Sequence, residues 1–201
     1  MVENIQYKDR NISLFRSNYH KELFVREIGK LLSKNHVSLL PHLKNLETEN
    51  ILKSRILGRN KLYKLNLKNN IVKEYVVTSE KFLTTKLINK EPFIRKIYNL
   101  SLDLDLEGPL IIFGSYASQS HTKESDIDIF YIGNLNDKNK ETIKNLGNLY
   151  KKNIHLTSMS KKQFVKSLPK SLLIKEIIKN HILLHNSELF LNILWRHFND
   201  K

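Results

Sequence analysis

Two short apolar runs, 110–113 and 127–132, bracket a Gly114-Ser115 step and an Asp126-Ile127-Asp128 triplet, with ten residues between the two motifs. Pro109 and Gly114 bound the first run, so it reads as a buried strand. Gly114 permits a tight exit from that strand, and Ser115 opens a short helical turn. Backbone N–H groups at such a turn point outward and favour anions. The second run reads as another strand. Residues two apart on a strand share a face, so the carboxylates of Asp126 and Asp128 project together. Hard oxygen ligands grouped in this way suit Mg²⁺, which commonly also binds substrate phosphates.

The stretch resembles the signature of the DNA polymerase β nucleotidyltransferase superfamily, in particular its minimal nucleotidyltransferases. That pattern runs Gly-Ser-x-Ala-x-Gly, a spacer, then Ser-Asp-x-Asp, and Gly114, Ser115, Ala117, Ser125, Asp126 and Asp128 match it. The glycine after the Ala-x pair is Gln119 in this chain. The resemblance spans about half of the protein, over residues 92–185. It implies that Gly114, Ser115, Gln119 and Ser125 hold a nucleoside triphosphate, with ATP as the expected donor. It also implies that Asp126 and Asp128 are catalytic and hold Mg²⁺ (or Mn²⁺), which stabilises charge on the attacking and leaving oxygens.

One position departs from the family. Active members add a third carboxylate on a following strand, and the matching segment here, Asn153-Ile154-His155-Leu156-Thr157, carries His155 where that acid is expected. Three readings stand side by side. His155 is a strand-edge residue without a role, it is a metal ligand or general base, or catalysis has weakened. Asp103, Asp105 and Glu107 are the acids that could substitute for it in space. Gln119 in place of glycine either narrows the pocket or adds a polar contact.

Composition limits the alternatives. No apolar run approaches the ~20 residues needed to span a bilayer, and the N-terminal MVENIQYKDR lacks an apolar signal segment. The absence of cysteine excludes disulfides and thiolate zinc sites. Together these features lead us to expect no membrane partner and a cytoplasmic location. The formal charge is +14, of which residues 1–100 contribute +11 and residues 101–201 only +3. A basic N-terminal half suggests a nucleic-acid-facing domain. A general richness in Lys, Asn and Ile is the competing explanation, since it raises charge without function.

In that half, Phe24, Ile28, Leu31 and Leu32 fall at helical spacing. Asn35 is placed to cap a second helix over 36–49, with Leu39, Leu43 and Leu46 on one face. A hairpin follows, with strands 52–57 and 61–65 joined through Gly58-Arg59-Asn60. Helix, turn, helix and a two-stranded wing over residues 17–66 resemble the winged helix-turn-helix of prokaryotic and archaeal regulators. That resemblance places the second helix in the major groove. Its DNA contacts would be His36, Ser38, His42, Lys44 and Asn45, with Arg55, Arg59 and Lys61 on phosphates from the wing. Val37, Leu40 and Pro41 sit among the outward positions of that helix. They leave dimerisation or docking of a protein partner as a live alternative, and Pro41 should kink or shorten the helix.

The expected fold class is α+β or α/β. A winged helix-turn-helix over 1–67 is joined by a connecting helix over 68–91 to a nucleotidyltransferase core over 92–201, a small mixed β-sheet flanked by helices. The expected activity is transfer of a nucleoside monophosphate from an NTP to a macromolecular acceptor, either a protein hydroxyl, as in a toxin-like partner, or RNA. The rival is a DNA-binding regulator or antitoxin-like protein whose nucleotidyltransferase domain senses nucleotides or is inactive. Homodimerisation is carried as a further expectation.

Overall fold

The computed structural model describes residues 2–199, with side chains from Lys8 onward. The chain divides into two compact units, Met1–Ser79 with Leu194–Lys201, and Glu80–Ile193. Two helices, α4 (Ile71–Lys90) and α10 (Ser187–Asn199), run through the divisions.

The first unit begins with α1 (Val2–Ser13), β1 (Leu23–Phe24), α2 (Val25–Leu32) and α3 (His36–Thr48). Strands β2 (Leu52–Leu57) and β3 (Asn60–Leu65) form a hairpin, and β1 pairs antiparallel with β3 to give the order β1-β3-β2. The backbone N–H of Phe24 donates to Glu27 Oε2 at 2.7 Å, which starts α2. Asn35 caps α3 as expected, its Oδ1 accepting from Val37 N at 2.9 Å. Pro41 does not end α3. The helix continues to Thr48 because Leu39, Leu43 and Leu46 lock one face into the core, each at most 1% exposed. That packing offsets the hydrogen bond which a proline nitrogen cannot donate to Val37.

The second unit carries α5 (Pro92–Asp103), β4 (Leu110–Phe113), α6 (Gly114–Ser118), β5 (Ile127–Ile132), α7 (Asp137–Leu149), β6 (Ile154–Met159), α8 (Lys161–Ser167), α9 (Leu172–Lys179) and β7 (Ile182–His185). Its sheet has the order β6-β5-β4-β7. β4 is antiparallel to β5 and β7, while β5 and β6 are parallel. A parallel pair needs a crossover, and α7 supplies it. This is the small mixed sheet flanked by helices that the sequence led us to expect. β7 is the addition, a strand not anticipated from its four residues.

The run 127–132 is apolar at almost every position because both faces of β5 are covered. Ile127, Ile129 and Tyr131 pack into a cluster with Ile94 and Ile97 of α5 and Ile143 of α7. Phe130 faces the other way, its ring 6.0 Å from Phe164, which in turn lies 6.1 Å from Phe190. His181 and Glu80 are both fully buried in this unit, with Nε2 3.3 Å from Oε1. The other ring nitrogen, Nδ1, faces the carbonyls of Ile177 and Ile178 at 3.0 Å each. His181 is thus held on both ring nitrogens by contacts inside the core.

Candidate active site

The site forms where β4 ends beside β5. Phe113 is paired with Asp128 across the two strands, so the chain leaving β4 turns directly beside that carboxylate. Gly114 makes the turn at φ +65°. A Cβ there would sit 2.4 Å from Asp128 Oδ2 and would displace that carboxylate, so glycine suits the position both for its backbone angle and for its missing side chain. No side chain caps the short α6 that follows, and Ser115 lies half-buried in its first turn.

Asp126 immediately precedes β5 and Asp128 lies on it. Their carboxylates reach one shared neighbour. His155 Nδ1 is 3.5 Å from Asp128 Oδ1, and Nε2 is 3.8 Å from Asp126 Oδ2. The register of the parallel pair places His155 directly beside Asp128. Asn153, two residues earlier, sits with Nδ2 3.0 Å from His155 Nε2. In the tautomer that lets this amide donate to Nε2, the Nδ1–H points at Asp128. Asp128 is then flanked on both oxygens, by the imidazole and by the Gly114 backbone.

The loop between the two motifs is tied down at several points. Ser125 Oγ accepts from Thr122 N at 2.9 Å, which turns the chain just before Asp126. The ammonium of Lys152 donates to the carbonyl of Lys123. The ring of His121 stacks on Tyr116, with centroids 4.0 Å apart and planes 13° apart, and its Nε2 meets Glu91 Oε1 at 3.1 Å. Burial first, and then the Glu91 charge, hold the Tyr116 phenol above its ordinary pKa. Gln119 ends α6 in the left-handed region at φ +59°, with its side chain exposed. A glycine at this position has a backbone reason, and Gln119 occupies the same conformation at a cost.

Asp126 and Asp128 have side chains 46% and 31% exposed, so both are open to a ligand. Among the described residues, no group of three or more His, Asp or Glu side chains is arranged to hold a metal ion. Two hard carboxylates beside the Gly114 turn nevertheless fit a divalent cation that takes the rest of its shell from phosphate oxygens and water.

Residues 109–189 match the family model described as Polymerase beta, Nucleotidyltransferase. Gly114, Ser115, Gln119, Ser125, Asp126, Asp128 and His155 all lie within the residues matched to this nucleotidyltransferase model. A solved structure described as "Crystal structure of the toxin-antitoxin with AMP-PNP" is similar at 19% identity and a TM-score of 0.36, over 53% of this chain and 89% of that one. No curated protein matches the chain.

Sequence reasoning overlooked Asn153, which orients the imidazole, and Lys152, which anchors the loop. The signal for Asn153 was its position, two residues from His155 on the approach to the same strand.

The DNA-contact candidates lie in the other unit and differ in availability. Arg55 is bound to Glu22 through its Nε, at 3.1 and 3.0 Å from the two carboxylate oxygens. This pairing holds the Glu22 carboxyl below its ordinary range and the guanidinium above its own. Lys61 is bound to Glu47 at 2.7 Å, with the same two directions of shift. Ser38 Oγ donates to the Asn35 carbonyl at 2.7 Å. His36, Lys44, Asn45 and Arg59 are exposed, and His42 is half-buried. His36, Arg59 and Lys61 meet Leu40 around a cavity of about 390 Å³. Val37 and Leu40, 58% and 44% exposed, lie on the outward side of α3.

Proposed function

We propose that the chain transfers a nucleoside monophosphate from an NTP, with ATP as the expected donor, to a hydroxyl of a macromolecular acceptor. The observation that carries this reading is the convergence of Gly114, Asp126 and Asp128, with a carboxylate oxygen packed where a Cβ at residue 114 would stand. Gly114 and Ser115 would receive the triphosphate, and Asp126 and Asp128 would hold Mg²⁺ or Mn²⁺. Bound there, the cation would neutralise charge developing on the phosphoryl oxygens. His155 would orient Asp128 through Nδ1–H, with Asn153 fixing its tautomer. Gln119 would border the triphosphate, and Ser125 would set the approach of Asp126. The acceptor oxygen bonds the α-phosphorus as pyrophosphate leaves. The acceptor is a protein hydroxyl, as in a toxin-like partner, or RNA.

Residues 1–67 are proposed as a winged helix. The observation favouring this is the order α2, α3, then the β2–β3 hairpin, with β1 completing a three-stranded sheet. On this reading DNA is met by His36, His42, Lys44, Asn45 and Arg59, with Ser38, Arg55 and Lys61 held back by intramolecular bonds. The exposed Val37 and Leu40 support the alternative of a protein partner or a second copy at the same surface.

The deciding experiment is calorimetry of NTP binding with and without Mg²⁺, on the wild type and on an Asp126→Asn/Asp128→Asn double variant. Mg²⁺-dependent binding that the variant loses supports nucleotidyl transfer. No binding by the wild type turns the search for function to the N-terminal unit.

A further inference from the structure

The N-terminal unit contains a cavity of about 340 Å³ that neither reading above uses. It is lined by Tyr19, His20, Lys53, Lys64, Asn66 and Lys68, together with the end of α10 at Phe198. Its size falls within the ~300–1,000 Å³ of small-molecule sites.

Two observations converge on it. The first is charge. Lys53 and Lys64 are direct cross-strand partners at the base of the hairpin, an arrangement of like charges that is unfavourable by itself. Glu22 lies 3.6 Å from Lys64 and is bonded more closely to Arg55, so it offsets only part of this charge. Lys68 adds a third cation, and among the described residues neither Lys53 nor Lys68 has an ion-pair partner. The second is an aromatic wall. Tyr19 packs on Phe198 with ring centroids 4.8 Å apart, and His20 meets Phe198 edge-on at 5.9 Å. Asn66 is 3% exposed, and its Nδ2 donates to the Asn50 carbonyl at 2.9 Å and to Asn50 Oδ1 at 2.8 Å, which fastens the chain two residues before Lys68.

We infer that this cavity binds a phosphate-bearing ligand of nucleotide size, with the phosphate against Lys53, Lys64 and Lys68 and the rest of the ligand along the wall of Tyr19, His20 and Phe198. The ligand is either a free nucleotide or one nucleotide of a nucleic-acid strand, since both present the same chemistry. The site belongs to the N-terminal unit and does not depend on nucleotidyl transfer.

The test uses the full chain carrying Asp126→Asn/Asp128→Asn, in EDTA, so that cation-dependent binding at the other site is silent. AMP and ATP are titrated by calorimetry, and a labelled 12-nucleotide single strand by fluorescence anisotropy. The comparison protein adds Lys53→Gln and Lys68→Gln, two exposed positions whose replacement leaves the fold intact, as checked by its melting curve. Asn66 is left in place because its amide holds Asn50. The expected result is one ligand per chain, weakened at least tenfold by the lysine changes. Binding of AMP or ATP identifies a free nucleotide, whereas binding of the strand alone identifies nucleic acid. Absence of binding to every probe at 1 mM, or binding that the lysine changes leave unaltered, overturns the inference.

Discussion

His155 Nδ1 stands 3.5 Å from Asp128 Oδ1, on the strand position that is paired in register with Asp128. A carboxylate at residue 155 would face the same space. His155→Asp should therefore strengthen divalent-cation binding roughly tenfold, about 1.4 kcal/mol. Titration of Mg²⁺ and Mn²⁺ into the two proteins without nucleotide measures this directly. Equal affinities would show that residue 155 does not stand at a third-ligand position.

Gln119 holds a left-handed backbone angle that an L side chain adopts at ~1 kcal/mol. Gln119→Gly should stabilise the protein by about 0.5–1 kcal/mol, and Gly114→Ala should destabilise it while displacing Asp128. Urea unfolding of the three proteins reads both effects. A Gln119→Gly variant weaker than the wild type would mean that the side chain makes contacts outweighing the backbone cost.

Arg59 is an exposed cation on the β2–β3 hairpin without an ion pair among the described residues, whereas Arg55 is tied to Glu22. If the hairpin touches duplex phosphates, Arg59→Ala should flatten the log–log salt dependence of binding by about 0.9, and Arg55→Ala should do so by less than half of that. Anisotropy of a labelled duplex at three salt concentrations measures both slopes. An Arg55→Ala effect equal to that of Arg59→Ala would mean the Glu22 pairing opens on binding.

Asp9 is 4% exposed, and burial raises its pKa. A folded-state pKa above the unfolded value of ~3.9 favours the protonated acid, so the associated stability is present below that pH and is lost as pH rises through the folded pKa. Asp9→Asn should raise Tm at pH 7 by about 2–4 °C, the shift that ~1 kcal/mol gives in a chain of this size, and should have little effect at pH 3. Melting curves at the two pH values give the sign. Destabilisation at pH 7 would mean that the charged form is held by a favourable contact.

The geometry of the candidate site was readable because its information is local. Gly114, the two apolar runs and the Asp126–Asp128 spacing all lie within 23 residues, and period-two logic alone orients the acids. The Asn35 cap was legible for the same reason. Elements whose formation depends on distant partners were not. β7 is four residues of an apolar run that is a strand only because β4 lies beside it. α1 is mostly polar and offers no clear apolar stripe. The pairing that occupies Arg55 closes a separation of 33 residues, so no motif on the hairpin could announce it. Pro41 is expected to kink or shorten α3, and the helix reaches Thr48 because three buried leucines hold its inner face.

β6 is the outermost strand of its sheet and has a single hydrogen-bonded neighbour, β5. Outer strands open at lower free energy than the strands they border. Fraying of β6 would carry away His155 together with Asn153 and leave Asp126 and Asp128 seated beside Gly114. The two halves of the site are therefore expected to differ in amide hydrogen exchange, fast on β6 and slow on β5. Whatever binds across them would slow the faster half, linking occupancy of the site to the local stability of one edge of the sheet.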